Sequence, residues 1–334
     1  MRTRVLFALF LPAVAGLAFA CGDDDSTATP TSDAGPDTQT PPAPTPDSAA
    51  PDTGSDADDT VDVALSFAAK VGAETFACNK TFAGLGTAQT QVMPRDFRFY
   101  VHDVKLIRMD GAEVPLAVQD DGKWQYGGIA LLDFENGADH CANGGTTDTN
   151  DTVKGRAPGG TYKGVKFTVG VPFALNHGNQ ATAPSPLNVG QMFWSWNGGY
   201  RFMKLDVQPF DPDAGDAGMG DGGAGMPRFN VHLGSTGCQG NPADGGGAVT
   251  SCASPNRFDV KLEVAQGMFD FAVNKIALDY AAVVSASNLT VNGGGPGGCM
   301  SFPGDPECPD IFGKLGLDYA TGTASGAQSV FSIE

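Results

Sequence analysis

QMFWSWNGGYRFM, residues Gln191–Met203, is the stretch on which the reading of this 334-residue chain turns. Met192, Phe193, Trp194, Trp196, Tyr200, Phe202 and Met203 crowd around Asn197-Gly198-Gly199. Gly and Asn tolerate positive φ, so the centre reads as a turn. The aromatic residues on either side alternate at period two, as strands do. A β-hairpin with aromatic and sulfur-bearing arms is expected. Taken alone, such a stretch reads as a hydrophobic core hairpin.

Working outward, the same alternation recurs in short runs. Val61–Val71, Phe97–Met109, Val114–Val118, Trp124–Phe134, Tyr162–Val171, Phe229–Leu233, Arg257–Val264 and Ile276–Val284 read as strands. In the second of these, Phe97, Phe99 and Val101 share one face and Arg98, Tyr100 and His102 the other. Cys78–Gly86, residues 174–190 and residues 292–310 read as loops. One short helix is expected near Asp310–Leu317. Many short strands between turn signals argue for an all-β fold. The expectation is an antiparallel, Greek-key-like β-sandwich over residues 61–334, with long disulfide-pinned loops. The Asp/Gly/Ala run at 211–225 reads as a flexible insertion. It has no Glu where a calcium loop needs one.

The N-terminus reads as an export signal over residues 1–20. Arg2 and Arg4 precede apolar Val5–Phe19, and Ala18-Phe19-Ala20 leads into Cys21. Ala18-Phe19-Ala20 fits ordinary signal peptidase, while Leu17-Ala18-Phe19-Ala20-Cys21 is similar to a lipobox; a lone Cys before a disordered linker favours the second, with Cys21 as the expected lipidation site. Residues 22–60 hold ten aspartates and no Lys, Arg or Glu. With no aromatic residue either, this segment reads as a disordered tether. The expected location is the periplasm or the outer-membrane surface, through the lipid anchor. The net charge of -18 excludes a nucleic-acid partner, because phosphate binding needs a basic footprint.

Setting Cys21 aside leaves Cys78, Cys141, Cys238, Cys252, Cys299 and Cys308. An even number in an exported chain points to disulfides. Cys238–Cys252 and Cys299–Cys308 would close short Gly/Pro-rich loops, with Cys78–Cys141 remaining. This is a preference among fifteen connectivities. Zinc is the rival, but no Cys-x-x-Cys spacing occurs.

The chain has four histidines: His102, His140, His177 and His232. Imidazole and thioether suit a soft ion such as Cu(I), and Met192 or Met203 offers the thioether. No His-x-His spacing exists, so the fold would have to assemble any site. His140, in an acidic loop, reads as solvated or ion-paired. No nucleophile elbow or phosphate-binding Gly loop occurs, so catalysis has little support. A cell-surface glycan- or protein-binding sandwich, using the aromatic residues as a platform, is the alternative.

Nine ordered motifs are similar to the MbnP family of exported copper-binding proteins. They are Phe82–Gly86, Phe97–Val104, Leu131–Glu135, Tyr162–Phe167, Gly170–Pro172, Leu175–His177, Pro186–Asn188, Met192–Tyr200 and His232–Cys238. The resemblance covers roughly residues 62–264. Cys78, Cys141, Cys238 and Cys252 match the family's four-Cys pattern, with Cys299 and Cys308 outside it. The resemblance implies a substrate and metal binder rather than an enzyme. Its implied partner is a MauG-like di-haem enzyme, MbnH, which oxidises a Trp to kynurenine. Copper, as Cu(I), would then bind through histidine and the kynurenine amine, much as in the related MopE. Opening the indole exposes an aromatic amine, a nitrogen ligand that Trp lacks. On this resemblance Trp194 and Trp196 are the candidates for oxidation, with Trp124 third. His102, His177, His232 and Met192 are the candidate copper ligands.

Overall fold

The computed structural model describes residues 59–142, 145–195, 198–210, 228–240 and 247–334. The expected signal segment, Cys21, the tether, Trp196 and the 211–225 insertion lie outside the described residues.

Two sheets face each other across an apolar core. One runs Phe331–Ile333, Lys275–Asp279, Thr60–Val71, Thr152–Pro158 and Ala117–Val118, with Glu74–Thr75 beside the third of these. The other runs Phe258–Glu263, Tyr162–Val169, Thr90–Arg108, Met203–Pro209, Phe229–Leu233 and Gly298–Cys299. Glu113–Pro115 and Ile129–Asp133 also pair with its long strand. Phe67 of the first sheet meets Phe99 and Phe167 of the second at ring-centroid distances of 6.1 and 5.6 Å. Phe331 meets Phe99 and Phe167 from the sheet edge. Burying a large side chain of this kind contributes roughly 1.5–3 kcal/mol, so this aromatic seam adds substantially to a core it shares with many Val, Leu and Ile side chains.

The expected sandwich is therefore present, with one difference. Two of its pairings are parallel: Thr60–Val71 with Lys275–Asp279, and Phe229–Leu233 with Gly298–Cys299. Both join segments far apart in sequence, and a parallel pairing needs a long crossover that strand patterning alone does not reveal. Smaller differences are local. Phe82–Leu85 is a strand rather than loop, and the run from Ile276 ends as a helical turn at Tyr280–Val283. The expected helix forms over Cys308–Leu315, with Pro309 in its first turn and Gly316 closing it at φ 73°.

The Thr90–Arg108 strand is buried on both faces. Phe97, Phe99 and Val101 enter the main core. Tyr100 enters a second apolar cluster with Ile129, Leu131, Val171, Leu187, Met192, Tyr200 and Phe202. Beyond Asp103, at φ 49°, Val104 and Leu106 point into the main core instead of odd-numbered residues. An extra residue in one strand shifts the parity in this way, and the pairing with Tyr162–Val169 slips here too. His102 stands just before that bulge.

All three expected disulfides form: Cys78–Cys141, Cys238–Cys252 and Cys299–Cys308. No helix among the described residues is long and apolar enough to cross a membrane.

Candidate metal centre

The hairpin expected at Gln191–Met203 is present, with Phe193 opposite Tyr200 and Trp194 opposite Gly199. Residues directly opposite in an antiparallel pair project to the same face. A Cβ placed on Gly199 would lie 3.2 Å from His177 Cε1, so His177 occupies the face to which the Trp194 indole projects. That indole is only 3% exposed. It packs over Gly234, where a Cβ would come within 2.5 Å of Trp194 Cζ3 and 2.8 Å of the Tyr200 carbonyl. The Arg201 guanidinium lies over the indole at 5.5 Å, and the His232 ring lies 6.3 Å from it, tilted by 54°.

His232 comes from the Phe229–Leu233 strand, opposite Lys204. Its Nε2–H donates to Asp206 Oδ1 at 2.8 Å. Nδ1 is then the lone-pair nitrogen. It is buried and has no hydrogen-bond partner among the described residues. Burial pushes the His232 pKa down, against the raising effect of Asp206. Asp206 is held well below the usual carboxylate range by His232 and Lys204, which outweigh its burial. A neutral imidazole oriented by a carboxylate, with its other nitrogen open, is how proteins prepare a histidine for a metal. Sequence patterning gave no signal for Asp206, because one acid in a strand looks like any other.

The other two predicted histidines have fixed tautomers as well. His177 Nδ1–H donates to the Gly198 carbonyl at 2.9 Å. Its Nε2 accepts from Asn176 Nδ2 at 3.0 Å, and Asn176 Oδ1 accepts from the Tyr200 N–H. His102 Nδ1–H donates to the Gly170 carbonyl at 2.9 Å, which leaves Nε2 as its lone-pair nitrogen. Burial lowers the pKa of both, and the Arg257 charge adds to this. Arg257 stacks on Phe202 at 4.9 Å and donates from Nε to the Val171 carbonyl. His102 and His177 are thus neighbours of one guanidinium, whereas His232 neighbours the indole. No three ligand atoms that include two of these histidines fall within 4.8 Å of one another among the described residues. Met192 is fully buried in the second apolar cluster, where it packs with Tyr100, Tyr200 and Phe202. Trp124 is partly buried at the edge of that cluster, with Lys123 Nζ 5.1 Å from its ring.

Behind His232 runs a buried charge network. Asp96 meets both Arg98 and Lys204, Lys204 reaches Asp206 at 2.7 Å, and Arg98 lies 3.5 Å from Glu135. Arg98 Nη2 also donates to Gln191 Oε1 at 2.7 Å, which ties the hairpin's entry to the sheet. A cavity of about 310 Å³ opens beside it, lined among others by Arg95, His140, Phe193, Arg201, Lys204 and Asp206. His140 is half-buried in the lining of this cavity. Its carbonyl accepts from Arg95, and burial with the Arg95 charge lowers its pKa.

The family profile of MbnP matches residues 60–301. The chain belongs to the MbnP family. A solved structure, MbnP from Methylosinus trichosporium, is similar to it at 33% identity and a TM-score of 0.68, covering 82% of this chain and 98% of that one. No curated protein sequence matches the chain significantly. The MbnP match takes in the hairpin, all three candidate histidines and Asp206, and it reaches past Cys299 but stops short of Cys308.

Proposed function

We propose that this MbnP-family chain is an exported copper-binding protein. Its Trp194 is opened to kynurenine by a partner di-haem enzyme and then serves with His232 as a nitrogen donor. The unpartnered, buried Nδ1 of His232 beside the Trp194 indole carries this reading. The donor set suits the ion: a neutral imidazole and an aromatic amine are ligands that Cu(I) accepts. His177, on the indole's side of the hairpin, and His102 are the further candidates. Copper, when bound, would supply a soft cationic centre, and everything else falls to the chain's own residues. Asp206 holds the His232 proton on Nε2. Gly234 gives the indole room. Arg201 and His232 close over the indole and leave residue 194 only 3% exposed. The glycan-binding alternative is not favoured at Trp194, because an indole 3% exposed offers no face to a sugar ring.

Co-expression with a di-haem enzyme encoded beside it tests the reading. Intact mass should rise by about 4 Da, from loss of one carbon and gain of one oxygen, and peptide mapping should place the change at Trp194. Copper should bind in the modified form and not in Trp194→Phe. Copper binding that is absent in both forms would reject the proposal.

A further inference from the structure

The Cys238–Cys252 disulfide differs from the other two in its surroundings. Cys78, Cys141, Cys299 and Cys308 are buried in the main core, each at most 3% exposed. Cys238 and Cys252 are half-buried and lie directly opposite each other in a two-stranded ribbon, Thr236–Gln239 with Ser251–Ser254, that belongs to neither sheet. An accessible disulfide outside the core is the one that a reductant reaches without opening the fold.

His177 Nε2 lies 3.4 Å from Cys252 Sγ, and the ligand atoms of His177, Cys238 and Cys252 all fall within 4.8 Å of one another. The Gly198 carbonyl and the Asn176 amide agree on one tautomer, in which Nε2 carries the lone pair. A backbone-anchored Nδ1–H of this kind orients metal-ligating imidazoles generally. A cavity of about 460 Å³, lined by His177, Asn179, Gln180, Phe193, Ser195 and Gly198 among others, gives an approach to the ring. The comparable trio of Cys299, Asp305 and Cys308 has no such approach: it is fully buried, and Asp305 already accepts from Met300 N and Glu307 N.

We infer that Cys238, Cys252 and His177 form a reduction-gated site for a thiophilic d10 cation, Zn(II) or Cu(I), closed while the disulfide is intact. A dithiol reductant delivers two electrons and two protons. The S–S bond breaks, two thiols form, and the reductant closes into its own disulfide. Both thiol protons leave to solvent as the cation binds, and His177 contributes its lone pair with no proton change. Asn176 Nδ2 gives up its hydrogen bond to the ring. Two thiolates and one imidazole are a zinc donor set that leaves one position open. This inference does not depend on the oxidation of Trp194.

The test uses the full mature chain made without any oxidising partner, so that Trp194 is intact and the outcome is separate from that of the proposed function. It is reduced with dithiothreitol, desalted under anaerobic conditions and titrated with Co(II), then Zn(II). Alkylation mapping should find two thiols, at Cys238 and Cys252, with the β-sheet circular dichroism unchanged. One equivalent of Co(II) should bind with a thiolate-to-metal charge-transfer band, be displaced by Zn(II), and be absent before reduction. His177→Ala should release the same two thiols but weaken binding by about tenfold or more. Thiols that do not appear without unfolding, two thiols that bind no metal, or a His177→Ala variant that binds like the parent would each overturn the inference.

Discussion

Asp206 accepts the Nε2 proton of His232 at 2.8 Å, and that single contact decides which imidazole nitrogen is available. Asp206→Asn keeps the size of the side chain but gives up the carboxylate that orients the ring. Copper affinity of the modified protein should fall about 10- to 100-fold, read by competition with a chromophoric Cu(I) chelator. An unchanged affinity in a folded variant would mean that His232 is not a ligand.

Gly234 makes room for the indole. In Gly234→Ala the new methyl meets Trp194 Cζ3 and the Tyr200 carbonyl, so the hairpin has to shift. Overpacking of this kind destabilises by about 1–3 kcal/mol. Urea denaturation should show that loss, and mass spectrometry should show slower formation of the +4 Da product named above.

Asp133 carries a pH signature. It is buried beside Glu135 and Asp96, and burial, only partly offset by Arg98, pushes its pKa up to about 8. The folded value lies above the ordinary one, so the folded state holds the proton more tightly. The resulting stability is fully present below about pH 4 and is lost as the pH rises through 8. Asp133→Asn mimics the protonated form. Its melting temperature relative to the parent should therefore be higher at pH 9 than at pH 5. A difference that does not vary with pH would show that Asp133 titrates normally.

Removing Cys78–Cys141 by paired Ser substitution should destabilise more than removing Cys238–Cys252. The sequence separations are 63 and 14 residues, for which loop closure alone gives about 4 and about 3 kcal/mol. The first bridge also leaves a gap in the core, whereas the second lies in a peripheral ribbon. Chemical denaturation of the two double variants ranks them, and the reverse order would refute this account.

Local chemistry made much of the scaffold legible. Asn197-Gly198-Gly199 announced the hairpin turn, and the Phe97, Phe99, Val101 alternation announced a strand facing a core. The short Cys238–Cys252 spacing announced its bridge. What stayed hidden depends on contacts between distant segments. The parallel pairing of Thr60–Val71 with Lys275–Asp279 joins residues some two hundred positions apart. The bulge at Asp103 depends on a backbone angle that no side-chain pattern signals. The sequence offered His102, His177 and His232 as equals and did not show their division into His232 at the indole and His102 and His177 around Arg257. Asp206 became visible only through its partner, and the contact of His177 with the disulfide only through the fold.

Up to the bulge at Asp103, successive residues of Thr90–Arg108 serve two different interiors. One set anchors a greasy interior; the other underlies the aromatic and charged layer. Phe97, Phe99 and Val101 anchor the sandwich, while Arg98 and Tyr100 hold up the layer in which the hairpin sits, so one strand couples the two. A substitution at any of these five positions would therefore be felt on both sides of the sheet.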